Sequence, residues 1–270
     1  MKVVIITQNE PLYIPLMIRD ILEEKKEFIT EIVVVPPHVK TKSMSGTFKQ
    51  RLLVFGLGYV LKIRYLVVIM KLKRKLGMLK RPSSVQDVSR KYNVKYQEID
   101  SVNSEEFLSH LQKENIDLII SLSPPQVFKK RILEIPKLGV INLHGALLPY
   151  YKGLQPSFWA LAKGEKITGC TVHTMDEKID EGNILVQKTN KINLDDTQFS
   201  IIYKNKKLGT RAILEAIELF KSGEYIKIQK PMPKGGSYYS FPTKNDVKAF
   251  YNNGKKLVNY RDIKLILQGW

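Results

Sequence analysis

The sequence predicts an α/β fold, an open doubly wound arrangement with a mostly parallel sheet, and three observations predict it. Its strand-like runs KVVIIT (Lys2–Thr7), EIVVV (Glu31–Val35), DLIISL (Asp117–Leu122) and GVINL (Gly139–Leu143) are apolar almost throughout. A strand buried on both faces reads this way, whereas a half-exposed strand alternates with period two. Segments of helical period separate most of these runs, and strands alternating with helices indicate a parallel sheet covered on both sides. Finally, 43% of the residues are hydrophobic and only one is cysteine, Cys170, so the core must come from packing and not from disulfides.

Taken in order, the first strand leads through the Pro11 break to a helix over Leu12–Lys26, and the second strand is closed by Pro36-Pro37. A helix near Val85–Tyr92, a strand at Val94–Ile99 and a helix at Ser104–Glu114 follow, the last with Ser104 as its N-cap. After the Asp117 and Gly139 strands come two more, at Thr168–Thr174 and Ile184–Lys188, and a helix over Asp196–Lys221. The tail from Tyr225 to Trp270 starts as a strand-like run and then reads as irregular, with Pro231, Pro233, Gly235-Gly236 and Pro242. Residues 1–224 are therefore expected to form the main domain, with an insertion at 40–81 and a C-terminal extension at 225–270.

The charge is uneven. Forty-four Lys and Arg against 26 Asp and Glu give 44 − 26 = +18. Twelve of the basic residues lie between Lys40 and Arg81, a stretch with no acidic residue, so two thirds of the excess sits there. The same block is rich in large apolar residues, but its longest uncharged run, Leu52–Leu61, falls well short of the roughly 20 residues a membrane span needs. At about 100° per residue Arg51, Lys62, Lys73 and Lys80 fall together on a helical wheel while Arg64, Lys71 and Lys75 fall opposite, so one unbroken amphipathic helix is not drawn. Gly56 and Gly58 would divide it into two shorter helices. Such an insertion could pack on its own domain or a partner in a homodimer, lie on an anionic membrane surface, or contact nucleic acid. Met1–Thr7 is too brief for a signal-peptide core, so the expected compartment is the cytoplasm, with attachment to the inner face of the membrane if the block docks there.

Several chemistries are excluded. His38, His110, His144 and His173 have no metal-ligand spacing, so no metal site is expected. No GxGxxG follows the first strand and no GxxxxGK[ST] occurs. Ligands of open parallel sheets bind outside the carboxyl ends of the strands, which directs attention to residues after Leu122 and around Leu143. There Asn142 and His144 alternate onto one side of a strand, and Asp180 follows in the loop MDEKIDEG. An amide and an imidazole aimed at one spot suit carbonyl chemistry: the amide N–H groups can bind an oxyanion while the imidazole moves a proton. A buried carboxylate would orient the imidazole and favour its charged form. The plainer reading makes His144 a strand-end residue and Asp180 a turn residue.

The surrounding text goes further. From Ile141 to Gln187 the chain carries Asn142-x-His144, then Leu147-Leu148-Pro149, Lys152-Gly153, and Met175-Asp176-x-x-Ile179-Asp180-x-Gly182. In that order these features resemble the folate-dependent formyltransferase family, with milder similarity back through Asp117–Pro136 and the first strand and helix. The resemblance implies a formyltransferase-type fold and 10-formyltetrahydrofolate as one-carbon donor. It implies that Asn142 polarises the formyl carbonyl, that His144 is the general acid/base, and that Asp180 organises His144, a water and the incoming amine. The pterin would lie against Ser121, Leu122, Ser123, Pro124 and Leu147 and against the loop carrying Asp176 and Ile179.

Departures from the family pattern are Gly145-Ala146 where serine is frequent and Lys152 where arginine is frequent; lysine lacks the bidentate fork. His173 matches a histidine of some branches, although a lone imidazole on a strand is more often structural. Trp159 resembles members that act on amino sugars. The expected activity is therefore N-formyl transfer to a primary amine on a nucleotide- or lipid-linked amino sugar. The alternatives are a methionyl-tRNA formyltransferase, for which the basic charge speaks, and a non-catalytic protein that binds folate or a membrane surface.

Overall fold

The structure, a computed structural model, describes residues 1–36 and 52–269, so the first part of the cationic block, 40–51, lies outside the described residues. The strands in chain order are β1 (Val3–Thr7), β2 (Ile29–Val34), β3 (Lys95–Glu98), β4 (Leu118–Leu122), β5 (Val140–His144), β6 (Lys152–Gly153), β7 (Ile167–Thr174), β8 (Ile184–Lys191) and β9 (Tyr238–Tyr239). Seven of them form one sheet in the order β3-β2-β1-β4-β5-β7-β8. The first five pair in parallel, and β7 and β8 extend the sheet antiparallel. The sheet is thus mostly parallel, as the apolar runs predict. The chain winds from β1 out to β3, returns to β4 beside β1, and winds the other way; the switch point lies between β1 and β4.

Helices cover both faces. The helices in chain order are α1 (Ile14–Lys25), α2 (Leu57–Lys75), α3 (Val85–Tyr92), α4 (Glu105–Lys113), α5 (Lys130–Glu134), α6 (Pro156–Ala162), α7 (Gln198–Ser222), α8 (Tyr225–Ile228), α9 (Lys244–Asn252) and α10 (Tyr260–Gln268). Val3 and Ile5 of β1 pack in one core with Ile18 of α1, Val88 of α3 and Ile213 of α7. Their neighbours Val4 and Ile6 face the other core, with Phe107 and Leu111 of α4 and Ile132 of α5. This explains why β1 is apolar from Val3 to Ile6: period-two alternation sends successive side chains into two different cores. Each such fully buried side chain contributes roughly 1.5–3 kcal/mol.

The insertion breaks at Gly56 (φ +84°), after a short helical turn at 52–55, whereas Gly58 lies inside α2. Leu66 and Met70 on the inner side of α2 pack with Leu12, Tyr13, Phe199 and Tyr203. Arg81 does not extend the solvated charge of the block. It is buried, and its guanidinium donates to the carbonyls of Ile266 (2.8 Å) and Pro11 (3.0 Å).

The tail also differs from its sequence reading. Tyr225–Ile228 is a helical turn, not a strand, and the stretch expected to be irregular contains α9 and α10. Both helices start with reciprocal caps, Thr243 with Asp246 and Asn259 with Asp262, a short-range signal hidden behind the Pro and Gly residues upstream. Phe250 of α9 stacks on Phe158 of α6 at 4.7 Å, and Ile266 of α10 joins the core that holds α2. Ahead of both helices β9 pairs with β6.

Candidate active site

A cavity of about 730 Å³ opens at the carboxyl ends of β1, β4 and β5, where Gln8, Ser123, Asn142 and His144 meet. Its position follows from the switch point: β1 and β4 lead their loops to opposite sides and leave a crevice. The walls come from the loop 175–180, from Lys206 on α7, and from Tyr59 and Ile63 on α2.

β5 delivers Asn142 and His144, and β7 runs beside it antiparallel so that His173 stands opposite Asn142. Asn142 Oδ1 accepts from the Ser121 hydroxyl at 2.9 Å, and its Nδ2 lies 3.2 Å from His173 Nε2. His173 Nδ1 lies 2.7 Å from the Thr174 carbonyl, which can only accept, so Nδ1 carries the hydrogen and a neutral His173 presents a lone pair at Nε2. The Asn142 amide is thereby oriented. One Nδ2 hydrogen goes to His173, which leaves the other for the cavity.

His144 is set in a similar way. Its Nε2 donates to the Tyr151 carbonyl at 2.8 Å, so Nδ1 is the atom that can take up or release a proton. Nδ1 lies 3.4 Å from Asp180 Oδ2, and Asp180 Oδ1 lies 3.5 Å from His173 Nε2. Burial pushes the His144 imidazole below its ordinary value and outweighs Asp180 and the Tyr151 carbonyl, which pull upward. Burial pushes the Asp180 carboxyl up, but the neighbouring His173 and His144 imidazoles and the Gly153 N–H together lower it to about 2. At neutral pH the pair is a neutral imidazole beside a carboxylate.

Two loops hold Asp180. The Gly153 N–H donates to Oδ2 at 2.8 Å, and a Cβ on Gly153, whose φ is +89°, would stand 2.4 Å from the Tyr239 carbonyl. Gly182 lets the second loop return to β7, because a Cβ there would stand 1.8 Å from the Thr174 carbonyl. Asp180 itself is held at φ +54°, a left-handed conformation that aspartate tolerates better than most residues.

The structure brings Asn142, His144 and Asp180 together, and Ser123, Pro124, Asp176 and Ile179 line the same cavity. Three other sequence candidates sit elsewhere. Ser121 is buried behind Asn142, Leu122 lies in the core, and Leu147 packs against β7 at Gly169. Lys152, where a bidentate contact was in question, is buried and tied to Glu181 at 2.6 Å. Trp159 is stacked on Tyr239 at 4.7 Å and donates to the Ser240 carbonyl.

Two residues were not singled out in the sequence. Lys206 reaches the cavity from α7 and donates to the Ser123 hydroxyl; burial lowers its pKa. Glu10 also lines it, with its carboxylate accepting from the N–H groups of Leu12 (2.7 Å) and Tyr13 (2.8 Å), while burial raises its pKa. Lys204, Lys206 and Lys207 stand together in α7, so nothing in the sequence set Lys206 apart. Cys170 lines the cavity as well, but burial pushes its thiol up to about 12, so it stays protonated and unreactive.

Comparison with known proteins supplies the context. Residues 61–217 match the family described as formyl transferase. A methionyl-tRNA formyltransferase of Thermodesulfovibrio yellowstonii is 37% identical over 161 residues, 59% of this chain and 51% of that protein. The chain spans about half the length of the curated relatives it matches. Among solved structures, glycinamide ribonucleotide transformylase 1 from Symbiobacterium toebii superposes with a TM-score of 0.57 at 18% identity, covering 83% of this chain and 89% of that one. An N-formyltransferase from Helicobacter canadensis, in complex with folinic acid and dTDP-3-aminofucose, superposes at 0.55 with 18% identity, covering 89% and 71%. These likenesses establish the same fold.

Proposed function

The chain belongs to the formyl transferase family, and from that premise we propose that it is an N-formyltransferase moving a formyl group from 10-formyltetrahydrofolate to a primary amine on a nucleotide- or lipid-linked amino sugar. The observation that carries this reading is the convergence of Asn142, His144 and Asp180 on one cavity, with a free amide hydrogen and an unprotonated imidazole nitrogen.

The cavity fits the donor. About 730 Å³ lies within the range that accepts a molecule of this size, and its walls are mixed, with Pro124, Met175 and Ile179 beside Ser123 and Asp176. Ser123, Pro124 and the loop 176–179 would hold the pterin. Bound there, the folate supplies a formyl group attached to nitrogen, an activated acyl donor.

Each residue then has a defined task. Asn142 Nδ2–H donates to the formyl oxygen as negative charge builds on it, and Ser121 and His173 keep the amide from rotating. His144 Nδ1 accepts the proton that the attacking amine must lose, and passes it to the nitrogen that departs. One C–N bond forms, one breaks, and one proton moves. Asp180 stabilises the transient imidazolium at 3.4 Å and keeps the ring facing the reacting atoms. On this reading the protein works in the cytoplasm.

A second reading, methionyl-tRNA as acceptor, is favoured by the names of the curated relatives and by the +18 charge, since phosphate contacts dominate such affinity. The two are separated by incubating purified protein and 10-formyltetrahydrofolate with an aminated nucleotide sugar or with charged initiator tRNA. Tetrahydrofolate release with the sugar is expected. Release only with tRNA would establish the second reading, and neither release nor folate binding would overturn both.

A further inference from the structure

We infer that α2 is a membrane-interface helix that seats the protein on an anionic lipid surface. Leu57, Leu61, Tyr65, Val68 and Leu72, with Leu76 just beyond the helix, are each at least 55% exposed. Their spacing of four, four, three, four and four residues places them, at about 100° per residue, in one sector about 100° wide. The opposite side of the helix is taken, with Leu66 and Met70 buried against Leu12 and Tyr13 ahead of α1 and Phe199 and Tyr203 of α7. The outward stripe is therefore a second apolar face.

Its borders are cationic. Lys62 and Lys73 flank it on one side, and Lys71 and Lys75 on the other. The opposed sets of charge that argued against a single amphipathic helix are the two edges of one stripe. Lysine stems can lie along apolar surface while their ammonium groups reach outward, so this arrangement matches acyl chains bordered by phosphate headgroups. A nucleic-acid backbone would satisfy the lysines but leave the stripe exposed to water. A second copy would set like charges against each other, because 40–81 contains no acidic residue. Among the described residues no helix is long and apolar enough to cross a membrane, so α2, 19 residues or about 28 Å long, would lie in the plane of the surface. Tyr59 and Ile63 of the same helix wall the cavity, which would bring the site within about one helix diameter of the headgroups.

The test needs neither folate nor acceptor, so it stands apart from the test of the catalytic reading. Full-length protein is sedimented with vesicles of phosphatidylglycerol and phosphatidylethanolamine, or of phosphatidylcholine alone. Binding to the anionic vesicles is expected, with partition falling about tenfold or more for L61D/V68D and for K62E/K71E, and falling with salt. Both pairs change exposed side chains, and an unchanged melting temperature would exclude misfolding. Equal binding to the two vesicle types, or unchanged binding by both variants, would overturn the inference. So would a dimer in solution that L61D/V68D converts to monomer in a protein that ignores vesicles, or binding to tRNA without binding to vesicles.

Discussion

Asn142 and His173 face each other across the antiparallel ladder of β5 and β7, with Asn142 Nδ2 3.2 Å from His173 Nε2. Because His173 Nδ1 is committed to the Thr174 carbonyl, the ring can only receive a hydrogen at Nε2 when neutral, and this fixes which end of the amide meets the cavity. An asparagine that could flip would offer its oxygen to the developing oxyanion half the time. On the proposed mechanism His173 is thus a positioning residue.

His173→Ala should lower kcat for formyl transfer by about 10- to 100-fold with little change in KM for the folate, somewhat less than loss of a direct oxyanion donor. Steady-state kinetics with both substrates check this. His173→Gln, whose amide oxygen can accept the same hydrogen bond, should recover part of the loss. A merely structural histidine would instead change stability and leave kcat intact in the folded fraction.

The pH profile follows from the direction of the His144 shift. Burial holds its pKa below the ordinary imidazole value, so the neutral, proton-accepting form persists below pH 6.5. kcat/KM should be level above neutrality and fall on an acid limb lying below that value. In Asp180→Asn the carboxylate that pulls the His144 pKa upward is gone. Its acid limb should move to still lower pH while kcat at neutral pH falls by about 100-fold or more. A limb at or above 6.5 in the wild type would contradict the assignment.

Acid should also weaken the fold. Both His144 and Asp180 have folded-state pKa values below their unfolded ones, so the unfolded chain binds protons first as pH falls. The His144 contribution is present above about pH 6.5 and erodes below it; that of Asp180 erodes between the ordinary carboxylate value of 3.8 and about 2. Melting temperatures measured from pH 7 down to pH 4 should fall for the wild type. They should fall less for His144→Gln, which has no imidazole to protonate.

The sheet was legible in the sequence because β1, β2, β4 and β5 are largely buried on both faces, and such strands announce themselves as nearly continuous apolar runs. Asn142 and His144 were legible for the same reason, since polar residues at the end of such a run need a purpose. What the sequence leaves hidden is long-range. That His173 pairs with Asn142 depends on the register of β5 against β7, separated by 31 residues and a loop. Lys206 is visible only once α7 is laid against Ser123. The tail reads as irregular because Pro231, Pro233 and the glycines around 235 mask the caps at Thr243 and Asn259.

Gly153→Ala addresses the loop that carries Asp180. The new Cβ would stand 2.4 Å from the Tyr239 carbonyl on a backbone held at φ +89°, so β6 must move away from β9 and take the N–H from Asp180 with it. A loss of about 1–3 kcal/mol of stability is expected, together with lower kcat. Thermal unfolding and kinetics on the same preparation check both. Unchanged kcat would mean that the Gly153 hydrogen bond does not set the Asp180 carboxylate.

Arg81 joins the insertion to the tail, and its removal separates two kinds of stability. The buried guanidinium has carbonyl partners on Pro11 and Ile266, and burial holds its pKa at about 10, so it remains charged at neutral pH. Arg81→Met keeps much of the stem volume but abandons those carbonyls, and should cost about 2–4 kcal/mol. The loss should be local at first. Amide hydrogen exchange is expected to rise in α10 and at the C-terminal end of α2, while β1, β4 and β5 keep their protection. Exchange rising evenly across the sheet would show instead that α10 unfolds only with the rest of the protein.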